Sequence, residues 1–186
     1  MAMQIAKLKG ASLVVGSSTD AYRRGRLKEF GADLAVDSSD PGWVDQVLKA
    51  TDGEGVDLIV DQVSGKVASQ NLAATKIKGG IVNVGRLGGT RAEFNFDLHA
   101  ARFITYVCVT FRTRSIDEIR QLFDEARNAI CGAAEPRQLP RPIHNASTFQ
   151  DPAAAFHAME DYKPPGTIPP TIRATPSPIR SHLTSL

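Results

Sequence analysis

The sequence predicts an α/β fold built on a parallel, doubly wound sheet, and three observations carry that expectation. Short apolar runs recur at 11–16, 32–36, 56–61, 81–85 and 103–110. Segments with apolar residues at helical spacing lie between them. Parallel neighbours need a crossover helix, so regular alternation of strand and helix is the pattern such a sheet demands.

Each element has its own signal. Met1 to Leu8 places apolar residues at helical spacing with no cap before them, as in the middle of a helix. Ala11 to Gly16 is a short β-branched run bounded by glycines, suited to a buried parallel strand. Asp20 to Phe30 turns helical and charged, Gly31 stops it, and Ala32 to Val36 is the next strand. Asp40 as cap and Pro41 at the first helical position open a helix with Trp43, Val44, Val47 and Leu48 on one face. Val56 to Asp61 is a strand ending in polar residues, followed by a helix near Lys66 to Lys76, a turn at Gly79-Gly80 and a strand at Ile81 to Gly85. A short helix near Leu98 to Arg102 precedes a strong strand at Phe103 to Thr110. Ser115 and Glu118 form a capping box for a helix carrying Ile116, Ile119, Leu122, Phe123 and Ala126. A last helix is expected from Pro152 to Asp161. Beyond Lys163 the prolines at 164, 165, 169, 170, 176 and 178 exclude regular helix or sheet, and a disordered Pro-rich tail is expected from 162 to 186.

Composition excludes several function classes. With 186 residues, 42% hydrophobic and 23% charged, the chain suits one globular domain plus a tail. A net charge of +2 on scattered basic residues points to neither nucleic acid nor a membrane surface. Only Cys108 and Cys131 are present, and the first residues do not read as a secretory signal, so a reduced, cytoplasmic setting is expected. Cys108, in an apolar strand, reads as a core residue. The apolar run at 103–109 is far below the roughly 20 residues that cross a bilayer as a helix. The cysteines and the four histidines stand at unrelated spacings and make no metal constellation. There is no G-x-S-x-G elbow, no P-loop and no Tyr-x-x-x-Lys pair, and no catalytic acid or base is nominated.

In open α/β sheets ligands bind beyond the carboxyl ends of the strands. The loops to search are therefore 16–19, 37–39, 61–65, 85–89 and 110–114, whose glycines, hydroxyls and arginines suit close backbone approach and phosphate binding. The ordered set Gln4-Ile5-Ala6-Lys7, Gly31-Ala32-Asp33, Asp61-Gln62-Val63-Ser64-Gly65 and Gly79-Gly80 with Gly85 resembles the cofactor domain of medium-chain dehydrogenases/reductases. This superfamily holds the zinc-type alcohol dehydrogenases and the quinone oxidoreductases, and the quinone-oxidoreductase-like branch fits best. The resemblance covers Met1 to Asp161 and implies a Rossmann-like domain that binds a nicotinamide dinucleotide.

The resemblance also implies roles. The strand end that reads the adenosine ribose falls at Gly16. With no carboxylate there, and with Ser17, Ser18 and Arg23 following, a 2′-phosphate site and hence NADPH is implied. The alternative is that Arg23 and Arg24 form only a solvated helix face. Val63 and Gly65 correspond to the loop beside the nicotinamide ribose, and Gly85 to the approach to the nicotinamide; plain strand-to-loop turns are the alternative for both glycines. Arg112 is within reach of a cofactor phosphate or is an ordinary surface arginine. Ser38 falls where several relatives carry a tyrosine against the adenine.

Several family parts have no counterpart in these residues. The G-x-G-x-x-G fingerprint, whose amides hold the pyrophosphate, would precede the first helix, and Gly53-Glu54-Gly55 leads into a strand and cannot replace it. The first, central strand is missing too, which would expose the edges of its two neighbours. The substrate domain is likewise missing. The expected function is thus the cofactor part of an NADPH-dependent oxidoreductase acting on a quinone, enone or carbonyl. The alternatives are an inactive fragment or partner-binding remnant and, more distantly, another Rossmann-like class such as a methyl transferase. The strand at Phe103 to Thr110 resembles the one through which family members form dimers.

Overall fold

In the computed structural model residues 1–131 are described, together with 147–148, 153, 156–157 and 170–171. Strands and helices alternate as the apolar pattern demands: α1 (Ala2–Leu8), β1 (Val15–Ser17), α2 (Ala21–Gly25), β2 (Leu34–Val36), α3 (Trp43–Ala50), β3 (Val56–Asp61), α4 (Ala68–Ala74), β4 (Thr75–Asn83), α5 (Phe96–Ala101), β5 (Thr105–Cys108) and α6 (Ile116–Cys131). The chain divides into two units, Met1–Leu139 and Pro140–Leu186. Within the second, β6 (Ser147–Thr148) pairs in parallel with β7 (Pro170–Thr171). The expectation that prolines exclude sheet there is corrected at this point: Pro170 is the first residue of its strand, where a missing N–H interrupts no ladder. The helix expected over Pro152 to Asp161, the unit boundary expected after Asp161, His144 and the rest of the tail lie outside the described residues, apart from Ala153, Phe156 and His157, which are helical.

All strand pairs are parallel, but the first unit holds two sheets rather than one. One has the order β1-β2 and the other β3-β4-β5. Both rest on the same apolar cluster, in which Val36, Trp43, Val47 and Ala74 are buried and Val15, Leu34, Val44, Val56 and Ile59 pack around them. Trp43 and Val47 stand one helical turn apart on α3, which explains why the amphipathic run beginning at Trp43 folds against strands from both sheets. A second cluster of Leu72, Ile81 and Ile104, with Ile59, Phe94, Leu98 and Tyr106 around it, joins α4 and α5 to one face of the larger sheet. Leu72 and Ile81 are fully buried, each contributing about 1.5–3 kcal/mol in transfer terms. The opposite face, carrying Leu58, Val60 and Val107, is exposed.

Several elements differ from the sequence reading for identifiable reasons. The helix expected over 20–30 is two pieces, α2 capped by Asp20, which accepts from the Arg23 N–H at 2.7 Å, and a 3₁₀ turn at Leu27–Phe30. α3 begins at Trp43 rather than Pro41, because Asp40 spends its side chain on the Gly42 N–H, 2.9 Å away, in a turn ahead of the helix. Gly79-Gly80 is no turn: β4 runs through it, and the register against β3 shifts between Val56 and Leu58. The capping box is formed, with the Ser115 N–H donating to Glu118 at 2.8 Å and the Glu118 N–H to the Ser115 hydroxyl at 3.3 Å. Cys108 is exposed, not a core residue. It ends β5, paired with Asn83 and, among the described residues, at the outside of its sheet.

Candidate functional site at the strand ends

Two loop clusters hold the residues singled out in the sequence. The first lies beyond β1 and β2. The Ser18 N–H donates to the Val36 carbonyl at 3.1 Å, carrying the β1–β2 pairing past the end of the strand. Arg24 binds the two strand ends together: its guanidinium donates to the Ser18 carbonyl at 2.9 Å and to Asp37 at 2.8 Å. Asp37 also accepts from the Ser39 hydroxyl and backbone, and these bonds, with Arg24 beside them, hold its carboxyl below the usual carboxylate range. Arg24 is therefore engaged by the protein. Arg23, one position earlier, keeps a buried Nε with no hydrogen-bond partner, while Ser17 is exposed and Ser18 half-buried.

Gly16 has a packing role in addition to the one implied by resemblance. It lies inside β1, and a Cβ there would stand 2.8 Å from the Met3 sulfur and 3.3 Å from the Ala32 methyl. The absence of a side chain lets α1 sit directly on the strand. The same corner is fastened by Asp33, which accepts from the Val14 N–H at 2.7 Å and pairs with Lys7 at 2.6 Å. Hydrogen bonds from Lys7 and from that backbone N–H hold the Asp33 carboxyl below its ordinary value.

The second cluster lies beyond β3, β4 and β5, and Asp61 organises it. This aspartate is 4% exposed; one carboxylate oxygen accepts from the Val63 N–H at 2.9 Å and the Ser64 N–H at 2.8 Å. The other oxygen is buried without a partner. The double bond turns the chain back so sharply that Ser64 adopts φ +57° and Gly65 φ +53°, a region costly for any residue but glycine. Gly65 then lies against the Gly88 backbone, and a Cβ on Gly85 would stand 2.6 Å from the Gln62 carbonyl. The N–H groups of Val84 and Gly85 both donate to the Asp61 carbonyl, at 2.7 and 3.2 Å. Gly65 and Gly85 thus let two loops touch backbone to backbone.

Tyr106 on β5 and Asn83 on β4 complete this cluster. Burial pushes the Tyr106 phenol up, and the neighbouring Asp61 charge adds to it, while hydrogen bonds with Ser64 and Asn83 work the other way. Val63 is half-buried within the cluster. Arg112 lies on an exposed turn, its N–H donating to the Thr110 hydroxyl at 3.2 Å. The structure brings Val63, Gly65 and Gly85 together in the second cluster through Gln62 and Gly88, whereas Ser17 ends β1, Ser18 follows it and Arg23 lies in α2.

The sequence placed Asp61 in the 61–65 loop without a role for it, and gave no sign of Asn83, Tyr106 or the Arg24–Asp37 pair. The signal for Asp61 is local, since an aspartate two and three residues before free backbone N–H groups at a strand end is a turn-forming acceptor. Tyr106 and Asn83 meet it only through strand pairing. Among the described residues no group of three or more His, Cys, Asp or Glu side chains is placed to hold a metal ion, and no helix is long and apolar enough to cross a membrane.

These parallel strands with glycine-bearing loops at their carboxyl ends can be set beside known proteins. The family model described as zinc-binding dehydrogenase matches residues 1–128. The chain belongs to this family. Its fold is that of the carboxy-terminal, cofactor-binding domain of the medium-chain dehydrogenase/reductase superfamily. A crystal structure of an NAD-dependent alcohol dehydrogenase aligns with a TM-score of 0.71 at 24% identity, over 90% of this chain and 46% of that one. A quinone oxidoreductase from Pseudomonas syringae aligns at 0.70 and 20% identity, over 90% of this chain and 51% of that one. Both show the fold. In sequence the chain is 33% identical over 100 residues to sorbitol dehydrogenase from Halalkalibacterium halodurans, covering 52% of this chain and 29% of that protein. The chain thus spans less than a third of that curated relative and about half of its structural relatives. Family membership implies a nicotinamide cofactor, whereas the described residues offer no ligand set for zinc.

Proposed function

We propose that this chain is the cofactor-binding part of an NADPH-dependent oxidoreductase whose substrate is a quinone, an enone or a carbonyl compound. The observation that carries the NADPH assignment is the contrast between two adjacent arginines. Arg24 is neutralised by Asp37 and holds the strand ends, while the Arg23 Nε has no hydrogen-bond partner. An anionic 2′-phosphate would supply the acceptor Arg23 lacks, in a charge-assisted bond of the stronger kind. The 2′-hydroxyl of NADH would offer only a neutral, weaker acceptor.

In this reading Val63, Gly65 and Gly85 form the wall for the nicotinamide half. The carboxylate of Asp61 fixes that wall in advance, so that little ordering is left to occur on binding. When bound, the cofactor supplies the hydride. The chain's own residues bind, orient and exclude water. Arg112 is assigned to the cofactor's phosphates at the rim. Two copies join through the exposed edge of β5, which sedimentation would show as a dimer and a monomeric chain would refute.

A second reading is favoured by the coverage of 46% and 51% of the structural relatives' chains. Under it these residues bind cofactor or a partner but do not turn substrate over by themselves. Calorimetric titration with NADPH and NADH tests the cofactor assignment. NADPH binding at least about ten-fold tighter, worth about 1.4 kcal/mol, is expected; equal affinities, or preference for NADH, would remove it.

A further inference from the structure

Ser64 adopts φ +57° and ψ −152°, a backbone region that glycine enters freely and that residues with a Cβ enter only where their surroundings force it. The turn needs positive φ at two successive positions, 64 and 65, and glycine occupies only the second. Glycine at 64 would follow the same path without strain. What serine adds there is a hydroxyl, and the hydroxyl has a partner.

That partner is Tyr106. It lies on β5 opposite Ile81 of β4, its ring edge-on to Phe94 with 5.9 Å between centroids, and its phenol shares hydrogen bonds with the side chains of Ser64 and Asn83. Asn83 is 2% exposed and donates from its amide to the Gly85 carbonyl at 3.3 Å. One phenol thus reaches the loop after β3 directly and the loop after β4 through Asn83.

Asp61 holds Ser64 at a different point, accepting from its backbone N–H at 2.8 Å. The N–H and the side chain stand on opposite ends of the N–Cα bond, about which φ turns. Anchoring both fixes φ. With the hydroxyl released, Ser64 is held at one end only and can relax to negative φ. Relaxation would swing its carbonyl, which accepts from the Val67 N–H at 3.3 Å, and would draw Gly65 from its place against the Gly88 backbone.

We propose that Tyr106 is a positioning residue for the nicotinamide half of the cofactor: through the Ser64 hydroxyl it holds the 63–65 turn in a strained path that the turn would otherwise leave. The inference rests on the reading that Val63, Gly65 and Gly85 form the wall for that half. Tyr106 acts on the wall and not on the cofactor.

The test uses the whole 186-residue chain and three variants. Tyr106→Phe keeps the ring against Phe94, Ser64→Ala keeps the strain without the hydroxyl, and the third combines Tyr106→Phe with Ser64→Gly. Exchange of the Val67 amide is followed by NMR without ligand. Calorimetry then gives the affinity for NADPH and for adenosine 2′,5′-bisphosphate, which carries the 2′-phosphate and no nicotinamide. Tyr106→Phe and Ser64→Ala are each expected to speed Val67 exchange about ten-fold and to weaken NADPH about ten-fold, as when the strained path is populated about a tenth of the time. Neither should change the affinity for the bisphosphate. The combined variant should recover most of both losses, because glycine takes the path unaided; a simple packing defect at Tyr106 would not be repaired by a change at 64. Unchanged Val67 exchange, or no recovery with glycine, would overturn the latch and leave the cofactor reading standing. Exchange that responds while the variants bind NADPH like the wild type would overturn the positioning role. Exchange that responds in a chain whose wild type binds NADPH no tighter than the bisphosphate would overturn it through the wall reading instead.

Discussion

Replacing Asp61 by alanine is expected to loosen the second loop cluster and to lower the domain's stability. The carboxylate accepts from the Val63 and Ser64 backbone at 2.9 and 2.8 Å in a site where the residue is 4% exposed. Hydrogen bonds to charged groups contribute about 1.5–3 kcal/mol each, and stranding buried donors forfeits that and their hydration. Against this stands the partnerless second oxygen, whose removal returns about 1–3 kcal/mol. Release of the strained Ser64 conformation offsets a further 1 kcal/mol or so. The net expectation for Asp61→Ala is a loss of about 1–2 kcal/mol in urea denaturation. Asp61→Asn retains an acceptor of the same shape and is expected to lose about 1 kcal/mol or less. If alanine costs under about 0.5 kcal/mol, or asparagine is as harmful as alanine, the carboxylate does not organise the loop as described.

Other perturbations separate the remaining claims. Arg23→Ala should weaken NADPH binding about ten-fold and leave NADH unchanged, whereas Arg24→Ala should lower thermal stability by freeing Asp37 and the Ser18 carbonyl; calorimetry and a melting curve distinguish the two. Gly85→Ala, with its new methyl 2.6 Å from the Gln62 carbonyl, should cost about 1–3 kcal/mol, measured by denaturant midpoint. Asp33 has a folded-state value below its ordinary 3.8, so its contribution is complete above that value and is lost as the pH falls through the lowered one. Asp33→Asn should flatten the acid limb of the stability profile below about pH 4 and leave the profile near neutrality unchanged in slope.

Local chemistry was legible in the sequence wherever local forces decide the structure. The capping box at Ser115 and Glu118, the apolar face of Trp43 and Val47, and the alternation of strand and helix all follow from spacing along one segment. The exceptions were decided between segments. Gly79-Gly80 carries a turn signature, yet pairing with β3 draws it into β4. Cys108 sits in an apolar run and would be a core residue in a central strand, but β5 is the last strand of its sheet. Gly16 reads as a loop glycine, and the contact with Met3 that requires it comes from α1. At the candidate site the glycines and arginines were visible. What distinguishes Arg23 from Arg24, and what joins Asp61 to Tyr106, is set by Asp37 and by strand register, neither of which spacing alone reveals.

The cofactor reading requires that one dinucleotide reach both loop clusters, 16–23 and 61–88. Amide exchange of the chain with and without saturating NADPH tests it most directly. The account predicts slower exchange in both clusters together, at Ser17 and Ser18 as well as at Val63 to Gly65 and Gly85. Protection confined to one cluster, or absent from both at saturation, would contradict it.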